Sequence, residues 1–366
     1  MRLMSGHLIA SAVLSASMSP AALAQGEHYR WFGIWLHPEG AIDSHANAID
    51  GEIPSGKVHA EVQDAAIWPT WSTLYVNLRP SSATSAVVEG ADGGRQVGSV
   101  FPQGQWNHAA LWQGTAESVI DISPPSPYLG GWPHARRGNQ IVGYGVSPQG
   151  DKHACLWLND DPNQFVDLHP PEADWSEATA TDGSWQGGRA AFPDVGLSAA
   201  LWKRTSWSFV DMGPGEHRDG WIHGMAPGTQ VGEYVNLSKW AVLWHDSPES
   251  WIDMSPSWSG AAALFATTGD LHIGWANRPG VHGAHAGIWH GDDPDSFFDL
   301  HPFVPPQYAD YGSTAYDIDI ADGVVYIAGT VNAPLAHAFL WVGVPLDTGD
   351  GGGPKSPGGL TKVRKP

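Results

Sequence analysis

The chain has 366 residues, 15% of them charged, and a formal net charge of −20, which argues against nucleic acid and anionic lipid surfaces as partners. Its 45 Gly, 29 Pro and 20 Trp give a turn-rich, aromatic-rich composition typical of all-β rather than helical chains. The single Cys155 excludes an intramolecular disulfide, so a large apolar core has to supply the stability.

Residues 1–24 read as a secretory signal peptide. One Arg precedes an apolar, small-residue run, and Ala22-Leu23-Ala24 fits the small-x-small cleavage rule. The expected location is secreted or periplasmic. No other apolar run is long enough for a membrane span, and a monomer is expected.

From residue 25 onward the chain repeats itself. "HACLWLNDDPNQFVDLHP" from His153 and "HAGIWHGDDPDSFFDLHP" from His285 lie 132 positions apart. The underlying "x-A-x-[LI]-W" motif occurs seven times, ending at Trp68, Trp112, Trp157, Trp202, Trp244, Trp289 and Trp341. A second motif, roughly "[VIF]-D-[LIM]-x-P", also occurs seven times, ending at Pro38, Pro80, Pro124, Pro170, Pro214, Pro256 and Pro302. A spacing near 44 with several short apolar runs per unit predicts propeller blades of four strands.

Each unit opens with a small-residue strand such as "SHANA" (44–48) or "SEATA" (176–180), assigned here to the crowded wall of a central channel. An "ADG" or "TDG" turn follows, then "QVG", the Trp strand and the "VDLxP" strand. The Trp strand is expected to pack between blades. The chain opens on "RWFGIWLHP" and its last Trp motif has no "VDL" partner. The N-terminal strand therefore completes the last blade and closes a seven-bladed β-propeller over residues 25–342. Residues 343–366 are Gly/Pro-rich and read as a flexible tail.

"QIVGYG", "HACLW", "VDLHP" and the terminal His337-Ala338-Phe339-Leu340-Trp341 resemble the HAF-type extracellular repeat family of bacteria. The resemblance covers roughly residues 30–342 and implies a secreted, propeller-like protein; it implies no enzyme, substrate or cofactor. Asp64, Ser198 and Trp240 stand where the motif has His, and Asn77 and Trp35 where it has Asp, so these motif positions read as structural.

No metal or cofactor is expected. The motif histidines (His108, His153, His285, His337) fall in different blades, too far apart to share one ion. The "LHP" histidines His37, His169 and His301 read as paired structural groups. "DIDIADG" (317–323) has the wrong acidic spacing for a calcium loop. Cys155 lies in an apolar strand with no cation nearby in sequence, which makes a poor nucleophile.

The loops before each small-residue strand share one face with the loops before each Trp strand. That face is expected to carry Trp106, Tyr128, Trp132, Trp175, Trp221, Trp258, Tyr308 and Tyr311, aromatics suited to an extracellular glycan or protein partner. The leading expectation is a non-enzymatic binding propeller. Its rival is a polysaccharide lyase acting on uronic-acid polymers through His134, His217, His223, Tyr128, Arg136 and Arg218. A structural envelope protein is the third reading.

Overall fold

The computed structural model describes residues 29–194, 196–213, 219–280 and 282–346. Seven four-stranded antiparallel sheets follow one another along the chain. The innermost strands are Asp43–Asp50, Ala83–Asp92, Gly130–Arg137, Trp175–Thr181, Gly220–Ala226, Ala262–Thr267 and Gly312–Ala321, which define blades 1 to 7. Blade 7 takes Ala336–Pro345 as its third strand and Tyr29–Trp35 as its outermost. The N-terminus thus supplies the missing strand, as expected, and the Leu36 amide also donates to the Ala338 carbonyl at 3.1 Å. The fold is a seven-bladed β-propeller. Trp31–Val344 form one compact unit; a second, Met1–Arg30 with Pro345–Pro366, lies almost wholly outside the described residues, as does the expected signal peptide. The last strand runs to Pro345, three residues past the sequence-based boundary. No helix among the described residues is long and apolar enough to cross a membrane.

The seven motif tryptophans are each 0% exposed. Burying an indole removes ~150–250 Å² from water. That is worth roughly 4–6 kcal/mol each as an upper figure. The apolar clusters straddle the seams between blades. Leu156 and Leu168 of blade 3, for example, meet Ala178 and Trp202 of blade 4.

The small inner-strand residues do not wall the channel, which corrects the sequence-based assignment. Ala46 and Ala178 are fully buried in the seams, and the larger residues alternating with them face the axis. A narrow seam needs the small side chains, whereas the axis of a seven-bladed ring leaves room for large ones.

Three seams carry the same latch. The amides of Ala338, Ala154 and Ala286 donate to Ser44, Ser176 and Ser313 at 2.9–3.0 Å. Each hydroxyl also meets Nδ1 of an "LHP" histidine, His37, His169 or His301, at 2.8–2.9 Å. His301 Nε2 lies 3.1 Å from the Ala309 carbonyl, so it carries the proton and Nδ1 accepts. The motif histidines stack on these rings: His153 on His169 at 3.9 Å, His285 on His301 at 4.1 Å and His337 against His37 at 4.0 Å. Nδ1 of His108, His153 and His285 donates to Asp121, Asp167 and Asp299. Where the motif departs, the pairing survives in other residues. Ser198 donates to Asp211, and Arg79 donates to Asp64 at 2.6 Å.

Candidate functional site

Every inner strand slips register near its middle, and that slip leaves one residue unpaired; the blade 2 strand slips a second time, between Ala83 and Ser85. The residues are Asn47, Glu89, His134, Thr179, His223, Phe265 and Tyr316. An unpaired bulge residue turns away from the ladder, and here it turns to the axis. The bulge depends on the glycine of the "VG" motif in the second strand. A Cβ on Gly232 would stand 1.8 Å from the Trp221 carbonyl oxygen, and one on Gly188 would stand 2.1 Å from that of Glu177. Only glycine lets the second strand approach the bulged backbone this closely.

All seven bulge side chains line one cavity of about 400 Å³, joined by His45, Lys57 and Trp221. His45 and Trp221 precede the bulge in their strands, so the cavity extends toward the end of the channel where the inner strands begin. One wall is aromatic: Trp221 and His223 are 4.3 Å apart, His223 and Phe265 4.8 Å, and Phe265 and Tyr316 5.6 Å. The other wall is polar. Asn47 donates to Glu89 at 3.2 Å, and Trp132 also hydrogen-bonds that carboxyl. Burial pushes the Glu89 carboxyl up to about 7, against the pull of Lys57 and Trp132.

Two ion-pair groups brace the wall. Glu177 accepts from Lys152 at 2.8 Å and from Arg189 Nε at 2.7 Å, with Arg189 Nη2 at 2.6 Å. The Arg189 guanidinium lies 3.4 Å over the Trp221 ring and 5.1 Å from that of Trp175. Glu233 accepts from Lys239 at 2.7 Å. Burial works to raise the Glu233 carboxyl, but His223 and Lys239 draw it down to about 2. Burial holds His134 neutral, with its pKa lowered to about 4, and also lowers that of His223. Nε2 of both histidines and Oε2 of Glu233 are buried with no hydrogen-bond partner among the described residues.

Four cations, Lys57, Lys152, Arg189 and Lys239, therefore face two ionised carboxylates, Glu177 and Glu233. Glu89, when ionised, and Asp43, the first residue of the blade 1 inner strand, add further carboxylates at this end.

The structure divides the sequence-predicted aromatics. Trp132, Trp175 and Trp221 gather at the channel mouth through Glu89 and Arg189. Tyr128 does not join them; its hydroxyl donates to Asp167 and its ring packs on Phe165 at 5.2 Å. Tyr308 stacks on Trp35 at 4.6 Å, with Tyr311 beside it, and Trp258 packs against Phe297. Trp106 is 53% exposed and lines a separate shallow hollow with Phe101 and Gln105.

The lyase grouping is not assembled as expected. Of its residues, His134 and His223 reach the cavity. Arg136 is 8% exposed and bound to Asp92 and Asp160, beyond the bulge toward the opposite end, where blades lock together. His217 and Arg218 lie outside the described residues. Asp317 and Asp319 of the calcium-like stretch accept the Ile49 and Gly51 amides at 2.9 and 2.7 Å. Sequence reasoning missed Asn47, Lys57, Glu89, Thr179, Phe265 and Tyr316. The one signal that could have found Asn47, Glu89, Thr179 and Phe265 is their shared position nine residues before the glycine of the second strand; Tyr316 stands thirteen before its glycine, and Lys57 directly follows one.

No family model matches the chain, and no curated protein matches it. Among solved structures, it is similar to the β-propeller domain of the Trilobed protease from Pyrococcus furiosus. The identity is 10% and the TM-score 0.52, over 85% of this chain and 99% of that one. A puromycin-hydrolyzing peptidase from Mycobacterium tuberculosis is 12% identical with a TM-score of 0.51, over 76% of this chain and 47% of that one. TolB from Acinetobacter baumannii is 12% identical with a TM-score of 0.47, over 68% of this chain and 62% of that one. The chain thus spans about half the length of the peptidase and under two thirds of TolB. At these identities the likeness is one of fold alone.

Proposed function

We propose that this protein is an extracellular binding propeller of the HAF-type repeat family that takes a carbohydrate at the mouth of its central channel and does not turn it over. One observation carries the reading: a register slip in the middle of every inner strand brings seven side chains of six kinds to a single cavity. Its volume sits at the small end of the ~300–1,000 Å³ range of ligand sites. An aromatic wall facing a polar one suits a ring with apolar faces and a hydroxyl edge. Tyr128 and Arg136 are committed to structural carboxylates, which favours binding over elimination chemistry.

The test is calorimetric titration with a panel of short neutral and acidic oligosaccharides, followed by chromatography of the recovered sugar. Binding of an intact sugar is expected, weakened about tenfold or more by Phe265→Ala and Tyr316→Ala. Trp106→Ala should change nothing. Loss of binding on Trp106→Ala alone would move the site to the loops, and appearance of unsaturated products would make the protein a lyase.

A further inference from the structure

We propose that the channel mouth selects an acidic sugar, with Lys57 taking the carboxylate and the gap between His223 and Glu233 taking a ring hydroxyl. This rests on the reading of the channel as a carbohydrate site.

Lys57 sits in the second strand of blade 1, directly opposite His45, and borders the cavity. It makes no hydrogen bond or ion pair among the described residues, unlike Lys152, Arg189 and Lys239, which are tied to Glu177 and Glu233. His45 gives it no countercharge. Burial, with Lys57 adding to it, holds that ring neutral, and Asp43 is engaged by His59 at 3.0 Å. Lys57 interacts electrostatically with the Glu89 carboxyl, which already receives Asn47 and Trp132. Glu89 is only partly ionised near neutrality, so a ligand carboxylate would supply the countercharge that this part-buried ammonium otherwise shares with it.

Glu233 Oε2 and His223 Nε2 stand 3.9 Å apart, with side chains 7% and 10% exposed. That separation is too long for a hydrogen bond, and neither atom finds another partner. Lys239 fixes the other oxygen of Glu233, which leaves Oε2 for the imidazole or for a ligand. A hydroxyl can donate to the carboxylate and accept from the imidazole at once. The aromatic wall of Trp221, Phe265 and Tyr316 adjoins this gap. A sugar acid carries all three features on one ring: an apolar face, hydroxyls and a carboxylate. A neutral sugar leaves Lys57 unmet, and a simple aromatic acid leaves the gap unmet.

The experiment compares D-glucuronate and D-galacturonate, as monomers and short oligomers, with the matching glucose and galactose series on the full chain. The acidic series should bind about tenfold or more tightly, as expected for one charge-assisted contact. Lys57→Met should abolish that preference and Lys57→Arg should keep most of it. Glu233→Gln should weaken both series alike. Neutral sugars binding equally well, or a preference that survives Lys57→Met in a folded variant, overturns the inference while leaving the carbohydrate reading intact. Failure of both series to bind removes that reading and the inference with it.

Discussion

The two ends of the channel use the same seven inner strands and spend their polar atoms in opposite ways. Where the strands finish, carboxylates are consumed by the next blade. Asp50 accepts the Gly94 amide at 2.5 Å, Asp92 the Gly138 amide at 2.9 Å and Asp319 the Gly51 amide at 2.7 Å. Toward the end where the strands begin, His134, His223 and Glu233 keep buried polar atoms unpaired among the described residues, and Lys57 lines the cavity with no hydrogen bond or ion pair. Buried polar groups are normally satisfied; Gln140 Nε2 and six motif indoles are also unpaired among the described residues, so what sets the mouth apart is that His134 and His223 carry their unpaired atoms in the lining of a cavity. Unpaired groups there cost stability that a bound partner returns.

The strongest way to break this contrast is to remove the bulge that separates the two ends. Gly232→Ala puts a Cβ against the Trp221 carbonyl and should cost roughly 3–4 kcal/mol in urea unfolding. A stable variant would show that the slip does not depend on glycine. Next, Asp92→Ala should cost roughly 2–3 kcal/mol, because it leaves the Gly138 amide unpaired and takes a carboxylate from the buried Arg136. His134→Gln at the mouth should stay within about 0.5 kcal/mol of the parent. Equal losses at the two ends would erase the distinction.

The smallest effect sharpens the contrast through pH. Glu89 is faced by Asn47, Lys57, Trp132 and Tyr144, and burial lifts its carboxyl to about 7. A carboxyl raised on folding favours the native state below its ordinary pKa, and that contribution fades as pH rises through the raised value. Glu89→Gln should therefore raise Tm at about pH 8 and raise it much less at about pH 5. In the same range, ionised Glu89 competes for the charge of Lys57. Glucuronate affinity of the parent should rise severalfold from about pH 8 to about pH 6, and the variant should lose that slope. A flat profile in the parent would place the Glu89 charge out of reach of Lys57.

Much of the architecture was legible because it repeats. Seven Trp motifs, the missing final "VDL" and the opening "RWFGIWLHP" specify both blade number and closure, and Leu36 seats where that phase requires. The channel lining was not legible. Bulge residues as unlike as Glu89, Thr179 and Phe265 share no composition, and a register slip leaves no mark in a period-2 pattern read one strand at a time. The small residues misled for a related reason. They alternate with the bulky ones, and which set faces inward depends on the seam, not on the strand alone. Charged partners across blades were equally hidden: Arg136 and Asp92 lie 44 positions apart, in neighbouring blades.

The glycine that permits each bulge has a consequence for how such a ring can change. The backbone conformation is set by the strand opposite, while bulged side chains also reach the next blade: Asn47 donates to the Val88 carbonyl and Thr179 to that of Ile222. Each module then contributes one channel position, and seven of them converge on one cavity. Exchanges there that keep the cross-blade hydrogen bonds rewrite the chemistry of the pore, which makes this fold a chassis for engineering new receptors one blade at a time.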